Sequence, residues 1–295
     1  MSIIPKKLVI YYGYPSLVNG ASGNLTTAAD VFNDYDMVVF GAGLEDPLHP
    51  DHNNTQTIIN NPSMVNTECY GYLDSTIGFI NSRTKIDLWK LMGVKGIFCD
   101  RFGFDFGMNR CLQNSIVNYI HSVNLKAFLN SFNPDDTFSP SIVTPGNPDG
   151  LPCVVNINDW YLAESFQIVN GVPDNTPSGV AAWELKAQKM INYNSSFGVN
   201  MATTTTNDSS PFDTNKWNRA YYMSVLYGFD ACCWGEEFYS ASGLGANTIP
   251  FRARLNITGV KHTGSIIKNG TIYERQTNIG QHIDISNNST SDLLN

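Results

Sequence analysis

Eight short apolar runs recur along residues 7–237, and most are followed by a segment of helical periodicity. This alternation constrains the fold more than any other feature of the chain. The runs are KKLVIYYGY (6–14), YDMVVFGAG (35–43), ECYGYLDS (68–75), VKGIFCDRF (94–102), LKAFLNS (125–131), DWYLAESF (159–166), GVNMATTT (198–205) and FDACCWGE (229–236). Each is too short for a helix and rich in residues that suit strands. Between them, apolar residues return at helical spacing. Leu25, Ala28, Ala29 and Phe32 share one face behind a capping Asn24. Met108, Cys111, Leu112, Ile116, Tyr119 and Ile120 share another. Further helices are expected near 55–60, over 83–92 with Gly93 closing it, over 181–194 with Trp183, Ala187, Met190 and Ile191 inward, and after Asp213. Residues 133–151 hold four prolines and should replace the fifth helix by a loop or a reduced turn.

Strand–helix alternation over about 230 residues predicts an α/β fold, a (β/α)8 TIM barrel of parallel strands. Its strands should cover 8–12, 37–40, 69–73, 96–99, 127–129, 161–163, 199–202 and 231–233. An open doubly wound sheet would carry a phosphate loop after its first strand. The segment there, GYPSLVNGASGN, fits neither GxGxxG nor GxxxxGK[ST].

Past residue 237 the pattern changes. Phe251, Ala253, Leu255 and Ile257 alternate with polar residues, and SIIKNGTIY carries an Asn269-Gly270 hairpin signal. The expected organisation is a barrel over 1–237 and a small C-terminal β appendage over 238–295. So small a sheet must cover an apolar face, against the barrel or another chain. It is expected to anchor the protein in a homo-oligomer or a larger assembly.

The formal charge is −8, with only 18 Lys and Arg against 26 Asp and Glu. No basic stripe is present, which argues against nucleic acid as a partner. No run of 18 apolar residues offers a membrane span. The N-terminus reads directly into a strand, so an extracellular location would be reached without a recognisable signal peptide. Six cysteines without a CxxC pair read as reduced thiols. His49-Pro50-Asp51-His52 beside Asp46 lacks helical ligand spacing and reads as a solvated loop, leaving no expected metal and no cofactor.

Chemistry in such a barrel sits at the C-terminal ends of the strands. Tyr12, Tyr14, Glu45, Asp74, Asp100, Asn130, Asp159, Glu164, Trp234 and Glu236 fall there on this reading. Aromatic faces cover the C–H side of a sugar, while carboxylates and amides bond its hydroxyls. Glycosidic cleavage needs two carboxyl groups flanking the bond. Asp100, at the end of the fourth strand, and Glu164, at the end of the sixth, are the leading candidates. The others are expected to bind substrate, a polysaccharide.

GVKGIFCDRFGFDF, with YYGYP, YGYLD and YLAESF, resembles the endo-alpha-1,4-polygalactosaminidase-like and spherulin-4-like barrels. GFDACCWGEEFYSAS resembles barrel segments of bacteriophage virion or tail proteins. The likeness spans about 7–240. It implies a retaining glycoside hydrolase acting on an alpha-linked, galactosamine-containing surface polysaccharide, with Asp100 as nucleophile and Glu164 as acid/base. The alternative is a non-catalytic carbohydrate-binding or structural virion protein. Arg101-Phe102 after Asp100 departs from the more polar continuation expected of the hydrolases, and Arg101 could pair with Asp100.

Overall fold

The structure is a computed structural model that describes residues 3–41, 43–175, 182–207, 212–235, 254 and 260–278, and the backbone of 282–284 and 289–291. Eight parallel strands close a barrel in the order β1-β10-β9-β6-β5-β4-β3-β2. They are β1 (Lys6–Tyr11), β2 (Met37–Phe40), β3 (Glu68–Asp74), β4 (Gly96–Asp100), β5 (Lys126–Asn130), β6 (Trp160–Ala163), β9 (Asn200–Thr204) and β10 (Ala231–Cys233). Each of the eight predicted strands is found. Helices α1 (Leu25–Asn33), α2 (His52–Ile59), α3 (Phe79–Met92), α4 (Arg110–Ser122), α5 (Pro134–Phe138), α6 (Trp183–Phe197) and α7 (Thr214–Tyr227) surround them. A two-stranded hairpin, β7 (Ile168–Val169) with β8 (Val172–Pro173), interrupts the connection from β6 to α6.

Alternation along each strand sorts side chains into two cores. Leu8, Ile10, Met37, Val39, Tyr70, Tyr72, Phe98, Phe128, Trp160, Leu162, Ala202, Ala231 and Cys233 fill the barrel interior. Phe128 is central there, edge-on to Tyr70 at 5.5 Å and to Phe98 at 5.2 Å. Truncating such a ring to Ala costs about 3–5 kcal/mol. The intervening residues, such as Val38, Phe40, Ile97 and Leu129, face the helices. At Gly71 this packing forbids a side chain. A Cβ there would lie 2.1 Å from the Trp89 ring of α3, whose Nε1 donates to the Tyr72 carbonyl.

Helix starts follow the expected chemistry. Asn24 Oδ1 accepts from Thr27 N at 3.1 Å, and Asp213 caps Asn215 and Lys216 at the start of α7. In α4 the buried stripe is Arg110, Gln113, Ile116, Val117 and Ile120, while Cys111 is exposed. Of the predicted stripe, Met108, Ile116 and Ile120 are in the core and Leu112 and Tyr119 pack against it, while Cys111 gives way to polar residues. The reason is polar: Gln113 donates to the Phe102 carbonyl and Arg110 to the Ser139 carbonyl, so both must face inward to hold loops of the mouth. The fifth helix is reduced to α5, as the prolines require.

Beyond the barrel, β11 (His262–Asn269), β12 (Ile272–Thr277), β13 (His282–Asp284) and β14 (Ser289–Ser291) form an antiparallel sheet. Asn269 pairs with Ile272, so the turn is Gly270-Thr271, one residue later than predicted, with Gly270 supplying the positive φ of 65°. The strand expected at Phe251–Ile257 lies outside the described residues apart from Arg254. Buried Tyr273 packs on Trp183 of α6 at 5.4 Å. Arg275 Nη1 donates to the Leu226 carbonyl and His262 Nε2 bonds the Val225 carbonyl, capping the end of α7. The sheet thus covers its apolar side chain on the barrel's own helices. Among the described residues no helix is long and apolar enough to cross a membrane.

Candidate active site

The inward parity of each strand continues past its last apolar residue. Two residues beyond Phe98 stands Asp100, two beyond Phe128 stands Asn130, and two beyond Leu162 stands Glu164. All three therefore project into the mouth above the filled interior. Asn130 joins the other two. Its Nδ2 donates to Asp100 Oδ1 at 2.9 Å and to Glu164 Oε2 at 2.8 Å. Both hydrogens of one NH2 are used, so these oxygens lie about 5 Å apart when they follow the diverging N–H bonds. Tyr72 donates its hydroxyl to Asp100 Oδ2 at 2.8 Å. Both Asp100 oxygens thus accept from neutral donors.

Burial pushes the Glu164 carboxyl above the usual carboxylate range, and the Asp100 charge adds to this. The Asn130 bond and the Lys186 ammonium act in the opposite sense. Lys186 is itself buried in α6, where desolvation brings its ammonium down to about 8 against the pull of Glu164 and Asp174. Tyr72 is held well above its ordinary value by burial and by Asp100.

Arg101 does not pair with Asp100. At φ 55° it turns away, bonds Asp74 Oδ2 at 3.1 Å and rests over the Phe106 ring at 5.1 Å. Asp74 also accepts from Thr76 N and Oγ1. Burial would raise its carboxyl, but Thr76 and Arg101 outweigh burial and hold it low. Asp74 is thus a rim carboxylate already engaged by its own loop. Tyr12 stands in the mouth, edge-on to Tyr72 at 5.7 Å, and Tyr14 is exposed on the rim beside His49.

Three expected ligands fall elsewhere. Glu45 is buried, ion-paired with Lys85 and accepting from Gly43 N, so it stiffens the loop after β2 and presents no oxygen to a ligand. Asp159 precedes β6 and lies at the opposite end of the barrel. It is fully buried, accepting from Ala127 N and Asn156 N at 2.8 Å and facing His121 Nε2 at 3.0 Å. Trp234 has outward parity, since Cys233 is the inward residue, and it packs edge-on to Trp217 of α7 at 6.3 Å. Glu236 lies outside the described residues. Residue reasoning missed Tyr72, Lys186 and Phe132. Tyr72 was legible, two residues before Asp74 on the inward face. Lys186 was legible as a cation inside the apolar stripe Trp183, Ala187, Met190.

The histidine loop is internally bonded: His49 Nδ1 accepts from Asp51 N, and His52 Nδ1 contacts the Leu44 carbonyl. No group of metal-ligating side chains occurs among the described residues. A cavity of about 430 Å³ lined by Met201, Phe229, Asp230, His262 and Arg275 lies at the base of the barrel and holds none of the candidate residues.

The fold and mouth define a (β/α)8 barrel with an amide-bridged carboxyl pair. No protein-family model matches the chain. No curated protein matches it either. Among solved structures, it is similar to the glycoside hydrolase domain of PelA from Pseudomonas aeruginosa, at 10% identity and a TM-score of 0.46, covering 83% of this chain and 100% of that one. It is also similar to the dipeptide epimerase from Enterococcus faecalis V583, at 8% identity and a TM-score of 0.45, covering 78% and 55%. The L-Ala-D/L-Glu epimerase from Bacillus subtilis matches at 8% identity and a TM-score of 0.45, covering 93% and 61%. The chain spans just over half the length of these two epimerases.

Proposed function

We propose that this protein is a retaining glycoside hydrolase, with Asp100 as nucleophile and Glu164 as acid/base. The observation that carries this reading is the shared Asn130 amide, which keeps one oxygen of each carboxyl about 5 Å apart. Retaining pairs are separated by about 5–5.5 Å, and inverting pairs by roughly 6.5–9.5 Å to admit a water. Hydrogen bonds to both Asp100 oxygens suit a group that must attack as an anion. The raised Glu164 carboxyl suits a group that must arrive protonated. In the first step Asp100 forms a bond to the anomeric carbon while the glycosidic C–O bond breaks, and Glu164 gives its proton to the leaving oxygen. In the second, Glu164 takes a proton from water, which attacks the same carbon and releases Asp100.

Exposed aromatic rings stand on loops at this end of the barrel: Tyr14 after β1, Phe106 after β4, Phe132 after β5 and Phe212 before α7. Their faces suit the C–H side of sugar rings in a polymer. The net charge of −8 favours a polymer with free amino groups, and the resemblance to the polygalactosaminidase-like barrels implies an alpha-linked galactosamine-containing polysaccharide.

The test is incubation with partially deacetylated galactosaminoglycan. New reducing ends should form, and the first product should keep the anomeric configuration of the substrate by NMR. Asp100→Asn should abolish cleavage, and Glu164→Gln should slow it about 10²–10⁴-fold. Inversion of configuration would overturn the nucleophile assignment. Polymer binding without new reducing ends, unchanged in Asp100→Asn, would identify a carbohydrate-binding barrel instead.

A further inference from the structure

The turn that carries Glu164 is bent against the preferences of its residues. Ser165 at φ 56° and Gln167 at φ 68° both lie in the left-handed region, where a side chain is disfavoured. Such a turn persists only if its surroundings hold it. Phe166 N donates to the Thr204 carbonyl at 2.9 Å, and the Gln167 side chain accepts from Arg219 Nε at 2.9 Å. The third hold is on Glu164 itself, whose backbone carbonyl accepts from Lys186 Nζ at 3.1 Å.

Lys186 is an expensive residue for this place. It is only 2% exposed, in a helix stripe that Leu or Met would fill without desolvating a charge. The ammonium lies 4.2 Å from the centroid of the Phe132 ring, at the end of β5. Its charged neighbours are Glu164 and Asp174, while Glu164 feels Asp100 and Lys186. We propose that Lys186 is a positioning residue for Glu164, gripping its backbone carbonyl with a buried ammonium so that the carboxyl reaches the Asn130 amide.

The catalytic meaning of this rests on the glycosidase reading, but the electrostatic coupling does not. With Lys186 charged, the Glu164 carboxyl is drawn down against burial and Asp100. Without the charge it must rise.

The experiment is a titration of the Glu164 carboxyl by carbon-13 NMR in the full chain, assigned with Glu164→Gln. Lys186→Met should raise the Glu164 midpoint measurably. Lys186→Arg, which keeps the charge, should restore most of the difference. A merely structural lysine would lower the melting temperature and leave the midpoint in place, and a folded Lys186→Met protein with an unshifted midpoint overturns the proposal. Should Lys186→Met not fold, the wild-type resonance decides. It should show a second inflection near pH 8 as Lys186 loses its proton, and a single-step curve overturns the proposal. If the midpoint shifts but wild type cleaves no glycan, the glycosidase reading fails and the coupling stands. If wild type does cleave, the basic limb of kcat/KM should move upward in Lys186→Met.

Discussion

Asn130 is 6% exposed and spends both of its amide hydrogens on carboxyl oxygens. Its removal should therefore act on charge more than on shape. In Asn130→Ala the Glu164 carboxyl loses the bond that favours its ionised form, so its midpoint rises further. The basic limb of any hydrolysis profile should move to higher pH with it. Stability follows by linkage. A carboxyl raised in the folded state contributes stability below its unfolded value and loses it as pH climbs through the folded one. The variant should thus be nearly as stable as wild type in acid and fall behind as pH rises, by about 1–3 kcal/mol at neutral pH. Urea denaturation at several pH values measures this. A gap that stays constant with pH would show that Asn130 fills space without holding the charged pair.

Strands and helices were more legible than the ends of strands at which particular residues stand. Apolar runs and helical stripes place eight strands and most helices, because burial writes itself into periodicity. Parity was harder. In FDACCWGE both Cys232 and Cys233 are apolar, so the sequence does not show which faces inward, and Trp234 was assigned to the mouth when it packs on α7. DWYLAESF has a carboxyl at each end, and chain direction puts only Glu164 at the C-terminal end that forms the mouth, so placing Asp159 there was an error of direction. Asp159 sits at the base, tying β5, the segment before β6 and His121 of α4 together. Asp159→Ala strands the buried Ala127 N–H, the part-buried Asn156 N–H and the His121 contact. It should cost about 3–5 kcal/mol in urea unfolding. The pH profile of cleavage should be unchanged wherever the variant remains folded. A variant as stable as wild type but inactive would return Asp159 to the reaction. Phe132 was hidden for another reason: its partner, the Lys186 ammonium, is brought close only by the closed barrel.

For the whole molecule, the question is what the C-terminal sheet is for. From the sequence, a sheet of this size needs cover, and a second chain was the expected source. The described residues show a source within the chain. Tyr273 joins the cluster of Trp183, Met223, Tyr227 and Phe229 between α6, α7 and the barrel. His262 and Arg275 take the last carbonyls of α7, and Lys268 reaches Glu184 at the start of α6 at 2.5 Å. The sheet therefore runs along the outside of α6 and α7, and the carboxyl pair is held by β4, β5 and β6. Truncation after residue 237 would leave two helix-end carbonyls without these partners and expose the Trp183 and Tyr227 rings. The loss should be about 2–4 kcal/mol, a fall in melting temperature of roughly 5–15 °C for a domain of this size. Glycan affinity measured below that melting temperature should be retained, because no residue of the pair depends on the sheet. Calorimetry of the truncated chain, paired with size-exclusion chromatography, separates the two roles. A truncated chain that melts where the full chain does, but elutes as a smaller species, would give the sheet back to subunit contact.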